Sequence, residues 1–307
     1  MPGELLKPTD DLVFQELFGK QKNKAITGHL LSLILGREIK KIDLDSNKRM
    51  LGNRKNAKTG RLDVRVKFND GEDCNIELQV NPFNFMPERL LEYWSTMYGN
   101  KISSGQSYEV LRPSISILIA GYKLPQLKDI EKYHTIWNLR EKDYPKTILT
   151  NDIEMHILEI PKIQKNEILK DELVQWLKFI ENPGSKEVQR FMEENKYLKQ
   201  AREELAYLSG DPDFQRLLES RAGFLRDMDN YRMQVEKEAR AEGLAKGKTE
   251  GRAEGRAEGR AEGRAEGRAE GRAEEKIEIA KKMKVNGTDI GEIIKITGLS
   301  EEEIAKL

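Results

Sequence analysis

Between Arg61 and Val80 the chain reads RLDVRVKFNDGEDCNIELQV. Leu62, Val64, Val66 and Phe68 alternate with polar residues, as do Cys74, Ile76, Leu78 and Val80. A period of two marks half-buried strands, and Asp70-Gly71 between the runs is a hairpin signal. Opposed residues of an antiparallel pair point to one face. A three-residue loop, Asn69 to Gly71, brings the two apolar faces together and sets Asp63 opposite Glu77 and Arg61 opposite Gln79. A longer loop makes the two acids diagonal neighbours on that same face. Elsewhere the period is helical. A helix is expected from near Thr9, and another over Pro87–Ser104 that turns Leu90, Leu91, Trp94 and Met97 to the core. A third carries Ile168, Leu169, Leu173, Trp176, Leu177 and Ile180. Asn182-Pro183-Gly184 ends that one, and Ser185 to Tyr207 restarts the pattern.

These patterns divide the chain into four parts. Residues 1–163 hold the β-like runs and most Gly/Pro punctuation. Residues 164–245 are helical and pack on the core or extend it. Residues 246–275 are a helical or flexible spacer, and 276–307 a small helical element. Within the spacer the unit GRAE occurs six times between Gly251 and Glu274. No Arg–Glu pair in it falls at i,i+3 or i,i+4, where helical ion pairs form, and each Gly costs about 1 kcal/mol of helicity relative to Ala. A solvated, partly helical spacer is one reading of the tract. The other lets Gly at every fourth position admit a partner helix. The last part predicts helices over Lys276–Lys284, Asp289–Ile296 and Glu301–Leu307, with Ser300 as N-cap and Glu303 completing a capping box. The layout is that of a miniature helix-turn-helix. Glu301, Glu302 and Glu303 would repel phosphates, which favours docking or dimerisation over reading DNA.

Composition narrows the classes. Charged residues make up 35% of the 307, so part of the chain is solvated helix rather than core. The net charge of zero leaves nucleic-acid binding to local basic patches. A lone Cys74 excludes an intrachain disulfide and suits a reducing cytoplasm. With His29, His134 and His156 scattered, no zinc-finger spacing exists. No signal-peptide run opens the chain and no apolar stretch is long enough for a membrane span.

The polar face of the hairpin carries the candidate chemistry. Like charges opposed across strands destabilise, and a solvated sheet face with Arg65 and Lys67 is one way to tolerate them. The other is a hard divalent cation held by the Asp63 and Glu77 carboxylates and the Leu78 carbonyl, with Gln79 two residues on. Just before Asp63, SNKRMLGNRKNAKTGR contains Lys48, Arg49, Arg54, Lys55, Lys58 and Arg61 and no acid. That loop suits phosphate positioning. Arg89 and Tyr93 lie one turn apart on the helix that follows.

Acid, short loop, then Glu-x-Gln resembles the PD-(D/E)xK nuclease pattern. Around it stand KPTDDLVFQELFG (7–19), HLLSLILGREI (29–39), NIELQV (75–80), PERLLEYWSTMYGNKISSGQSYEVLRPSISILI (87–119) and IEMHILEIPK (153–162). In order and spacing over residues 5–165 this is similar to the Rpn family, the transposase-like recombination-promoting nucleases. The resemblance implies a bacterial α/β protein with a restriction-endonuclease-like core, its mixed central sheet flanked by helices and followed by a helical C-terminal extension. It also implies a metal-dependent DNA endonuclease serving recombination, mobility or defence. Asp63, Glu77, Gln79 and Asp11 take the catalytic positions. Asp63, Glu77 and the Leu78 carbonyl are the ligands for Mg2+, with Mn2+ or Ca2+ as alternatives. The basic loop and Arg89 contact DNA. Gln79 stands where the wider superfamily has Lys, so a catalytically inactive DNA-binding or regulatory scaffold is the alternative. Gly105 and Tyr108 are expected to stop a helix and to pack. A homo-oligomer, a dimer formed through the helical tail, is the expected assembly.

Overall fold

The computed structural model describes residues 5–44, 64–164 and 171–307. Asp10 opens the first helix, its side chain accepting from the Leu12 and Val13 amides, and α1 (Asp11–Phe18) buries Leu12, Val13, Phe14, Leu17 and Phe18. α2 (Lys24–Leu35) stops at Gly36, whose φ of 63° suits a residue without Cβ. β1 (Ile42–Leu44) pairs antiparallel with β2 (Val64–Phe68), and β2 with β3 (Asp73–Gln79). Val64 faces Ile76 and Val66 faces Cys74, the register that a three-residue loop requires. The Phe68 amide donates to the Glu72 carbonyl at 2.9 Å. Gly71 takes φ 89°, a conformation that L side chains rarely adopt.

α3 (Met86–Gly99) then leads to β4 (Ser114–Ala120), β5 (His134–Asn138) and β6 (Ile153–Glu159). The six strands lie in the order β1-β2-β3-β4-β6-β5. β3–β4 and β4–β6 are parallel and the other pairs antiparallel. β4 is buried along its whole length, as expected for a parallel strand covered on both faces. The fold is the mixed-sheet α/β core that the sequence implies.

Each face of the sheet has its own apolar layer. Cys74, Ile76 and Leu78 pack with α1, α2, α4 (Glu172–Glu181), α5 (Lys186–Met192) and α6 (Lys196–Gly210). On the other face Leu118, Ala120, Met155 and Ile157 meet Met86 and Leu90 of α3. Three expectations change or sharpen here. The helical pattern restarted over 185–207 is divided between two helices, because Asn195 caps a new start by accepting from the Tyr197 and Leu198 amides. Leu91 is half exposed while Leu90 and Met97 are buried, so the buried stripe of α3 is narrower than its apolar residues suggest. Gly105 lies beyond the end of α3, and Tyr108 is 81% exposed rather than packed.

The chain forms two compact units, Met1–Arg221 and Ala222–Leu307. α7 (Pro212–Val285) runs without a break through the GRAE tract and the expected separate helix at Lys276–Lys284. The Ala, Arg and Glu between the glycines are strong helix formers, and they carry the helix across. At its end Ala280 meets Ile293 of α8 (Ile290–Thr297) and Ile304 of α9 (Glu301–Lys306). The Ser300–Glu303 capping box is formed. Among the described residues no helix is long and apolar enough to cross a membrane.

Candidate active site

Glu77 sits on the β3 face turned toward α3, with 1% of its surface exposed. That face is not a solvated one. Asn75, Gln79, Ser114 and Ser116, which share it, are buried as well. A carboxylate there needs a counter-charge, because leaving water costs several kcal/mol per ion. Arg89 supplies it, with Nη2 2.6 Å from Glu77 Oε1. The guanidinium is itself held on three sides. Its Nε donates to the Tyr93 hydroxyl at 2.7 Å, and its Cζ lies 5.1 Å from the Tyr93 ring centre and 5.7 Å from that of Phe83. The spacing of Arg89 and Tyr93, one helical turn, makes this bracket possible.

The other end of β3 is clasped in the same way. Lys101 Nζ lies 3.4 Å from Asp73 and donates to the carbonyls of Arg112 and Pro113 at 2.9 and 2.8 Å. Burial lowers the Lys101 ammonium from its ordinary range, against the pull of Asp73. The helix runs antiparallel to the strand. Its early cation meets the late acid of β3, and the cation just past its end meets the early one.

Gln79 is 8% exposed, and its amide Nε2 donates to the Asn81 carbonyl at 2.7 Å. That bond fixes the start of the loop leading to α3. Leu78 turns its side chain to the opposite layer and pairs with Ile119. Asp11 lies in the first turn of α1, and its Oδ2 is 3.3 Å from Arg221 Nη2. Asp63 and the basic residues Lys48, Arg49, Arg54, Lys55, Lys58 and Arg61 lie outside the described residues. The structure therefore brings together Glu77, Gln79 and Arg89. It also commits Arg89, expected to contact DNA, to a buried carboxylate.

Among the described residues no group of three or more His, Cys, Asp or Glu side chains is arranged to hold a metal ion. The donor types named from the sequence suit a hard cation: Glu77 would offer carboxylate oxygen and Leu78 a carbonyl, with Asp63 outside the described residues. Arg89 would share Glu77 with such an ion.

Two polar groups escaped the sequence reading. Glu159, at the end of β6, is fully buried, 2.5 Å from Lys162, and accepts from the Leu124 amide at 2.7 Å. On the opposite face of the sheet, His156 bridges Glu154 at 2.8 Å and His134 at 2.9 Å. Burial, then the neighbouring His156, lowers His134 to about 4. The i,i+3 spacing of Glu159 and Lys162 was a usable signal. The histidine pair joins two strands and had none.

Residues 8–234 match the family model of the PD-(D/E)XK nuclease family transposase. Residues 273–307 match that of the Rpn/YhgA-like nuclease family, C-terminal HTH domain. The second match gives α8 and α9 the helix-turn-helix description that their layout suggested. Neither the curated proteins nor the solved structures yield a match. The first match spans well over half of the chain and includes all six strands, so the chain belongs to the PD-(D/E)XK nuclease family transposases, and its function is of the nuclease type.

Proposed function

We propose that this protein is a divalent-metal-dependent DNA endonuclease. The observation that carries the reading is the Glu77 carboxylate, almost wholly buried on β3 and gripped at 2.6 Å by Arg89. A carboxylate kept ionised inside the fold by a neighbouring guanidinium keeps its oxygen donors, and it stands in the Glu-x-Gln motif of the strand.

Asp63 and Glu77, with the Leu78 carbonyl, would hold Mg2+, or Mn2+ or Ca2+ in its place. When bound, the ion supplies Lewis acidity toward the phosphate and toward water. The rest falls to the chain. Gln79 orients the attacking water through its amide oxygen, while its nitrogen is tied to Asn81. Arg89 supplies the positive charge that Gln79 lacks, from the neighbouring helix rather than from the strand. Asp11 supports α1 as a first-turn acid paired with Arg221. Lys48, Arg49, Arg54, Lys55, Lys58 and Arg61 position the DNA backbone. Recombination, DNA mobility or defence in a bacterial cytoplasm is the setting we infer, with dimerisation through the helical tail.

The test is plasmid cleavage by the full chain in Mg2+, Mn2+ or Ca2+. Asp63→Ala and Glu77→Gln should abolish cleavage in every metal that supports it, and cleavage that survives both sinks the reading. A second reading has its own observation. Arg89 already neutralises Glu77, and the Gln79 amide is already engaged. A scaffold that binds DNA without cutting it would show metal-independent binding and no nicking under any of the three ions.

A further inference from the structure

The loop between β3 and α3 exposes two phenylalanines, and one of them, Phe83, shares the Arg89 guanidinium with Glu77. Phe83 is 36% exposed and Phe85 66%, in the stretch VNPFNFMP, which carries no charge. The loop is held rather than loose. Gln79 Nε2 is bonded to the Asn81 carbonyl at 2.7 Å, and Gln126 Nε2 donates to the Asn84 carbonyl at 3.2 Å. The Arg89 amide donates to the Phe85 carbonyl at 3.1 Å, and Met86 is fully buried. The two rings stand edge to face, centroids 6.2 Å apart and planes at 71°, so they brace each other. Arg89 touches both the Phe83 ring and Glu77, which ties the aromatic pair to the carboxylate through one side chain.

Phe85, with 66% of its surface exposed, is held in place yet contributes little to the core. Near a nuclease carboxylate such a ring matches a nucleobase face, which stacks on aromatic rings whatever its identity. A base inside a duplex is already stacked on its neighbours and offers no face. We propose that the Phe85 ring, braced edge to face by Phe83, is a stacking platform for an unpaired base near the Glu77 site. The substrate class is then DNA with a single-stranded or unpaired position at the cut. This rests on the endonuclease reading above and narrows it.

Fluorescence anisotropy of the full chain, without divalent metal, separates binding from cleavage. The probes are a labelled single strand, a duplex with a short unpaired bubble, and the same duplex fully paired. Phe85→Ala should weaken binding to the first two about tenfold and to the paired duplex less than about twofold, with Phe85→Trp restoring both. Because Phe85 is mostly exposed, thermal unfolding of the variant should match that of the parent. Equal affinity of Phe85→Ala and the parent for the bubble overturns the platform, as does an equal loss on all three probes. Failure of Asp63-dependent plasmid cleavage alongside Phe85-dependent bubble binding removes the endonuclease reading and leaves the platform standing. The converse pattern removes the platform alone.

Discussion

The face of the sheet under α3 and the GRAE tract of α7 both hold charges of the two signs and treat them in opposite ways. Under α3 each acid meets a cation from another element, as Glu77 meets Arg89 and Asp73 meets Lys101. In the tract, Arg and Glu recur two residues apart, so they point to nearly opposite sides of the helix and no pair falls at helical spacing. The tract is exposed throughout. The difference shows what charge is for in each place. Buried charge makes a site and is costly to disturb. Exposed, unpaired charge keeps a helix solvated and is cheap to change.

The largest effect should come from breaking the buried pair. Arg89→Met removes the guanidinium 2.6 Å from the buried Glu77 carboxylate and should cost about 3–5 kcal/mol in urea unfolding. Adding Glu77→Gln should return much of that loss, because a neutral amide no longer needs the guanidinium. A double variant no more stable than Arg89→Met would mean that the guanidinium serves packing against Tyr93 and Phe83 rather than charge.

Acid should come next, and it sharpens the contrast because Gly251–Glu274 contains no histidine. His134 is lowered from 6.5 to about 4 by burial and by His156, while Lys132 adds to the shift and Asp171 opposes it. His29 is lowered too, by burial. The unfolded chain binds more protons than the folded one between about pH 6.5 and 4, so stability is full above that window and falls as pH drops through it. Urea midpoints at neutral and mildly acid pH should show the decline, and His134→Gln should flatten it. An unchanged slope in that variant would move the effect to His29.

What the sequence made legible follows from which signals are local. The hairpin register came from alternation and one glycine, and the capping box at Ser300 from four residues, because both lie within a few positions of chain. The partner of Glu77 did not. Arg89 is on a helix whose face is set only when β4 takes its place beside β3, so its charge looked like a surface cation. The burial of Glu77 has the same origin. An alternating strand reads as half-exposed until a crossover helix covers it. Continuity of α7 was missed for another reason. Glycine at every fourth position argues against helix by propensity, yet the intervening Ala, Arg and Glu outweigh it.

Smaller effects belong to the tract. A Cβ built on any glycine from Gly251 to Gly271 meets open space. Gly→Ala there should therefore raise helicity, by about 1 kcal/mol per site locally, with no change in the urea midpoint of the sheet unit. Circular dichroism would report it.

Deleting two GRAE units should change least. Four residues advance a helix by about 400°, so rows of glycine drift by about 40° per unit and form no straight seam for a partner to follow. A spacer of this kind tolerates shortening, and sedimentation should find the same oligomeric state before and after. A weaker oligomer in the deletion, accompanied by a weaker one in the Gly→Ala variants, would make the glycine rows a contact between copies, since both changes act on close approach and only one changes length. Loss in the deletion alone would point to spacing between the parts that the tract joins.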